Sequence, residues 1–357
     1  ALHRQVTGIV HSGGSLKTTL EESMKATVMM PLCLGMALLT ATAQAAPAIY
    51  PVDTARFLGT SKFDFKVEFD REISQSDIDV RINGKSVADV FGAKPEFIKN
   101  EEGKGSAIIL RNVSLAPGKY AVSAKDGKEE ASAKWDVYGT PEKAKAKNVI
   151  LLIADGLSMG HRTGARLLSK GVTNGMYNGY LSMDTLPYTG MLGTCSVDSI
   201  AADSANTASA YMTGHKSSVN AIGVYADRTK DPFDDPRQEN IAELLRRKTN
   251  KSIGIVSDAE IEDATPASVV SHTRKRSEKA AIVGMFANIR PEVLIGGGSA
   301  YFLPRTVPGS KRKDEKDYVE DFRKAGYTLA TTRTELLNVM EKSPDRLLGL
   351  FHTGNLD

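Results

Sequence analysis

Hydrophobic and polar positions alternate with a period of two through the early part of the chain. Phe63, Phe65, Val67 and Phe69 are separated by Asp64, Lys66 and Glu68, the pattern of a strand with one buried face. The alternation returns in Ile78-Asp-Val-Arg-Ile82 and runs into Asn83-Gly84, a pair that favours a two-residue hairpin because both positions tolerate positive φ. Residues 107–110, 119–124 and 133–138 read as further strands, with a turn at Pro117-Gly118. Short strands at this spacing predict a small immunoglobulin-like β-sandwich over residues 46–139. No cluster of acids, histidines or metal ligands stands out in it, so the expected role is scaffolding or spacing.

The pattern changes after a polar, proline-containing stretch at residues 140–147, which reads as a linker. Residues 149–154 are continuously apolar, as in a strand covered on both faces. Helical and short apolar segments then alternate. Helices are expected at 241–248, 278–289, 318–325 and 334–340, and strands at 252–256, 293–295 and 347–351. This alternation predicts an α/β layered domain with a largely parallel central sheet over residues 148–357.

The amino end reads as a processing signal. Met24-Lys25 supplies a positive start, residues 27–39 are almost wholly apolar, and Ala43-Gln44-Ala45 is a small-x-small cleavage site. Residues 24–45 are therefore expected to direct export to the periplasm or medium, leaving no stable membrane span after processing. Residues 1–23 read as an upstream extension from an over-long reading frame, or else as a genuine amino-terminal region. The 357 residues are 41% hydrophobic and 25% charged, ordinary for a globular protein. A net charge of +3 gives no case for nucleic-acid binding. Cys33 falls in the export signal, so the processed chain keeps Cys195, expected to be a small buried side chain.

Candidate chemistry sits in three separated stretches. Asp155 follows the apolar run and precedes Gly156, which places its carboxylate at the carboxyl edge of the expected sheet, where open α/β folds bind ligands. It reads equally as a turn former or helix cap. Ser204 follows Asp203 at the start of a segment ended by Gly214, either as an N-cap or as a hydroxyl offered to a phosphate at a positive helix end. Asp263 and Thr265 stand two apart, so in an extended segment both would face one way. Their oxygens suit a hard cation, or they cap the helix that Pro266 opens. A guanidinium of Arg274 or Arg276 could grip two phosphate oxygens, or belong to a solvated basic face. Gly-x-Ser-x-Gly is absent and no histidine marks a serine-hydrolase base, so activation by a metal is the better expectation.

Asp155-Gly156, Asp203-Ser204-Ala205, and Asp263-Ala-Thr-Pro-Ala267 with His272 and Arg276 resemble bacterial alkaline phosphatase in order and spacing. Gly296-Gly297-Gly298 and the segment at 347–355 resemble that family too. The resemblance implies Ser204 as the phosphorylated nucleophile and metal ligand, and Arg276 as the phosphate clamp oriented by Asp203. It implies Asp155 as a carboxylate shared by a zinc and a magnesium, with Asp263 and Thr265 on the magnesium side. Two zinc ions and one magnesium are thereby expected, with a phosphate monoester as substrate and a homodimer left open. Ala201-Ala202 and Asn206 depart from the usual pattern around the nucleophile, which bears on substrate preference more than on reaction type.

In that family a Glu, an Asp-x-x-x-His pair, an Asp-His dipeptide and a late His complete the metal site. The six histidines of this chain form neither pattern. The expectation is an incomplete catalytic domain that is inactive by itself. A phosphodiesterase or sulfatase relative, and a non-catalytic exported fragment, are the alternatives.

Overall fold

The computed structural model describes residues 46–143 and 145–356. The expected upstream extension at 1–23 and export signal at 24–45 lie outside the described residues. Strands come first: β1 (Ala48–Tyr50), β2 (Arg56–Leu58), β3 (Phe63–Glu68), β4 (Asp79–Ile82), β5 (Lys85–Ser86), the short helix α1 (Val87–Phe91), β6 (Glu96–Ile98), β7 (Ala107–Val113), β8 (Gly118–Lys125) and β9 (Glu130–Tyr138). They make a four-stranded sheet ordered β1-β3-β7-β6 and a five-stranded sheet ordered β2-β9-β8-β4-β5. Phe63, Phe65 and Val67 of one sheet pack with Ile82, Val122 and Trp135 of the other in a shared core, as stacked sheets require. Asn83 and Gly84 take φ of 49° and 77° and join Ile82 to Lys85, the hairpin their side chains favour.

Strand β3 departs from expectation. Asp64, Lys66 and Glu68 are buried together with the aromatic positions between them. The cause is a long segment from the second half of the chain that folds over this face: the Asp64 amide donates to the Arg237 carbonyl, and Lys66 Nζ lies 2.6 Å from Asp227 Oδ2. The sandwich therefore does contribute to a cluster of charged groups, contrary to the sequence reading.

The second half begins with α2 (Met159–Lys170), the hairpin β10 (Val172–Thr173) and β11 (Met176–Tyr177), then α3 (Ser204–Thr213) and α4 (Ile241–Lys248). It continues through β12 (Gly254–Glu260), α5 (Ala264–Ala267), α6 (Lys279–Ile289), β13 (Val293–Gly297), α7 (Tyr318–Lys324), β14 (Thr328–Ala330), α8 (Arg333–Glu341) and β15 (Leu347–Leu350). The strands form a parallel sheet ordered β12-β13-β15-β14. Ile255, Leu294 and Leu348 of the sheet share a core with Ala242, Ile282, Phe286 and Phe322 of the helices. Local chemistry agrees: Asn240 and Glu243 form a reciprocal cap on α4, and Arg246, Arg247 and Lys248 occupy its last turn, where the helix dipole favours cations. Among the described residues no helix is long and apolar enough to cross a membrane.

Residues 149–154 are the main departure. They take no strand conformation, and Val149, Ile150 and Leu152 are 83%, 86% and 90% exposed. A strand buried on both faces needs neighbours on both sides, yet β12 stands at an edge of its sheet with Val256 exposed. Cys195 is likewise exposed, beside equally uncovered Met191 and Leu192. Lys216 donates to its sulfur at 2.8 Å and holds the thiol below its ordinary range.

Candidate active site

Ser204 opens α3 without capping it. Asp203 is the N-cap: its Oδ1 accepts the Asn206 amide at 3.1 Å, and the Asn206 side chain accepts the Asp203 amide in return. The hydroxyl of Ser204 is thereby released from the usual duty of a serine at a helix start. Small Ala205 and Ala208 lie fully buried beneath it, and Gly214 ends the helix at φ 80°.

Asp263 sits at the N-cap of α5, but its carboxylate caps nothing. Thr265 lies inside that helical turn rather than in an extended segment, so strand alternation does not relate the two side chains. Arg276 does the gathering. Its Nη2 donates to Asp263 Oδ1 at 2.8 Å, and its Nη1 donates to Ser204 Oγ at 2.9 Å and to Asp203 Oδ2 at 3.3 Å. Thr265 Oγ1 donates to Asp155 Oδ2 at 2.9 Å, which pairs Asp155 with the helical turn that Asp263 opens. Asp155 itself emerges from the exposed loop, not from a strand end. Burial alone would lower the Arg276 pKa, but Asp263 and Asp203 more than offset it, and the guanidinium stays charged.

The backbone carrying Arg276 is pinned to the segment after α3. Thr273 and Ile222 exchange both backbone hydrogen bonds at 2.9 and 2.8 Å, and the Arg276 amide donates to Asn220 O at 2.9 Å. The Asn220 amide in turn donates to Asp203 Oδ2 at 3.2 Å. One aspartate thus caps α3, steadies this turn and faces the guanidinium. Arg274 points elsewhere, donating to the carbonyls of Asp227 and Asp231 at 2.9 and 3.0 Å. Residue types could not choose between the two arginines; in the structure it is Arg276 that meets Ser204.

Other singled-out residues have different surroundings. His272 is buried, with Nδ1 at 2.9 Å from the Gly223 carbonyl oxygen and Nε2 at 3.0 Å from Glu243. The triplet glycine Gly298 takes φ 90°, and a Cβ there would collide with the Glu262 carboxylate. Sequence reasoning passed over Glu262, which is fully buried with no hydrogen-bond partner on either oxygen and is pushed up to about 8 by that burial. It also passed over Tyr211, whose phenol is raised to about 12 by burial and by the charge of Asp155. Seven positions after Ser204, Tyr211 shares its helix face, a signal that was available.

The donors gathered here are all oxygens, and each carboxylate is already engaged by Thr265 or Arg276. Among the described residues no group of three His, Cys, Asp or Glu could hold a metal ion. The described histidines are committed elsewhere: His161 to Ser158, His272 as above, and His352 to the Gly354 amide. His215 is stacked on Phe57, bonded to Tyr225 and pushed down to about 3 by burial. A zinc site takes about three protein ligands, largely nitrogen or sulfur, so the described residues do not fit the expected zinc pair. Nor do they by themselves complete a magnesium site.

The alkaline phosphatase family model matches residues 146–357, more than half of the chain. The chain belongs to the alkaline phosphatase family. It is 30% identical over 252 residues to the alkaline phosphatase of Gadus morhua, covering 61% of this chain and 52% of that one. It is 34% identical over 242 residues to alkaline phosphatase H of Pseudomonas aeruginosa, covering 60% and 48%. Among solved structures, a magnesium-bound variant of the TAB5 alkaline phosphatase aligns at 27% identity with a TM-score of 0.48, over 59% of this chain and 54% of that one. The chain thus spans about half the length of the curated alkaline phosphatases it matches. Strands β1 to β9 precede the family match.

Proposed function

We propose that these residues belong to a phosphate monoesterase that works through a phosphoserine at Ser204. One observation carries the reading: the Arg276 fork spans Ser204 Oγ and Asp263 Oδ1, so a phosphoryl group on Ser204 would meet a planar pair of donors. The amino end of α3 adds its positive dipole end. In the proposed step Ser204 Oγ gives up its proton and bonds to phosphorus as the ester P–O bond breaks, and the leaving oxygen takes up a proton to depart as the alcohol. Arg276 balances charge on the phosphoryl oxygens, Asp203 holds Arg276, and Asp263, Thr265 and Asp155 place oxygen ligands beside it.

Activating the hydroxyl and hydrolysing the phosphoserine require groups beyond the described residues. The family resemblance implies two zinc ions and a magnesium for that chemistry, and the nitrogen ligands such zincs need are not among the described residues. The 357 residues by themselves are therefore proposed to have little or no turnover. The domain reading stands as a proposal: an export signal at 24–45, an immunoglobulin-like scaffold at 46–139, a linker at 140–147, and an incomplete catalytic domain at 148–357, acting in the periplasm or medium.

The test is p-nitrophenyl phosphate hydrolysis, with p-nitrophenyl sulfate and a diester as comparisons. A protein carrying the additional ligands is expected to hydrolyse the monoester, and Ser204→Ala to lower kcat by about a thousand-fold or more. Full turnover in that variant would remove Ser204 as nucleophile, and robust turnover by the 357 residues would overturn the proposed incompleteness.

A further inference from the structure

Arg276 has to keep its fork aligned with Ser204, and its own backbone is held through residues 220–222 on one side. On the other side stands Arg274. Its amide donates to Pro232 O at 2.9 Å, and its guanidinium donates to the carbonyls of Asp227 and Asp231. The same guanidinium lies 3.4 Å from Asp235 and 3.8 Å from Asp227. Residues 227–235 form a closed loop around it, since the Asp227 amide donates to Asp235 Oδ1 at 2.9 Å. That loop is fastened to the sandwich. Lys66 of β3 lies 2.6 Å from Asp227, 2.7 Å from Glu101 and 3.1 Å from Glu68, with its side chain 2% exposed. Arg228 adds a contact to Glu101 at 3.0 Å and donates to the carbonyls of Phe69 and Ser106.

We propose that Arg274 is a positioning residue for Arg276, and that the buried cluster around Lys66 makes the β-sandwich the anchor of that arrangement. The sandwich thereby supports the site rather than merely spacing it. A solvated basic face is excluded for Arg274, because both ends of its fork are spent on the carbonyls of one loop. The guanidinium alone can reach Asp227 O and Asp231 O together; an ammonium cannot copy a fork of fixed geometry. The proposal rests on reading Arg276 as the phosphate clamp, and the experiment separates the two.

Arg274→Gln and Arg274→Lys are made in the full chain, and amide hydrogen exchange is followed at Thr273 and Arg276 alongside binding of inorganic phosphate by calorimetry. Arg274→Gln is expected to speed exchange at Arg276 by about ten-fold or more and to weaken phosphate by a similar factor, with amides of β8 and β9 unchanged. Arg274→Lys restores charge without the fork and is expected to fall between the parent and Arg274→Gln. Lys66→Met should speed exchange at Arg276 in the same direction although it lies in the sandwich. Unchanged exchange at Arg276 in Arg274→Gln overturns the proposal. So does an equal rise in β8 and β9, which would make Arg274 a general stabiliser. If the parent chain takes up no phosphate, the clamp reading of Arg276 fails while the exchange data still decide the role of Arg274.

Discussion

At the scale of single residues, charge placed under cover governs this protein. Arg276 is surrounded by Asp203, Asp263 and the Ser204 hydroxyl; the compact motifs made these residues candidates in the sequence, but only the family resemblance singled out Arg276 over Arg274 and paired it with Asp203. Glu262 was not legible: nothing in a Glu-Asp pair says that the first is sealed against Gly298 and the second faces a guanidinium. Burial raises Glu262 from its ordinary 4.5 to about 8, so the fold prefers the protonated carboxyl. Its contribution to stability is fully present below the unfolded value and is lost as pH climbs through about 8. Urea unfolding across that interval should show a smaller loss for Glu262→Gln than for the parent. Coincident pH profiles would mean that the carboxyl is not held protonated by its surroundings.

Among elements, the contrast is between segments that have neighbours and segments that do not. The expected helices and strands from residue 241 onward form with small shifts at their ends, because caps, amphipathic spacing and short apolar runs all act locally. Residues 149–154 carry an equally strong apolar signal and form no strand. Periodicity reports that a run needs cover; it cannot report what supplies the cover. The same holds for β3, where polar positions read as solvent-facing are covered by the 227–237 segment. Substitutions should separate these cases. Leu152→Ser, at 90% exposure, is expected to change unfolding free energy by less than about 0.5 kcal/mol. Leu294→Ala, fully buried in β13, is expected to cost about 2–5 kcal/mol. A large effect at Leu152 in denaturant titration would show that the run is packed in solution.

For the whole molecule, the sandwich and the α/β half are joined by groups that neither can leave unpaired. Lys66 is buried among carboxylates from both, and His215 of the second half stacks on Phe57 of the first. Breaking one partner out of such a desolvated set is costly, so calorimetry should record one cooperative transition for residues 46–357. Two resolved transitions would show that the halves unfold independently. This joint was invisible in the sequence, where Lys66 and Asp227 lie 161 positions apart and each reads as an ordinary surface charge. The naked aliphatic strip at 149–153, together with the open flank of β12, reaches further still. Exposed hydrocarbon and an uncovered strand edge are both adhesive in water, so each is a place where a further strand or another surface would gain by docking.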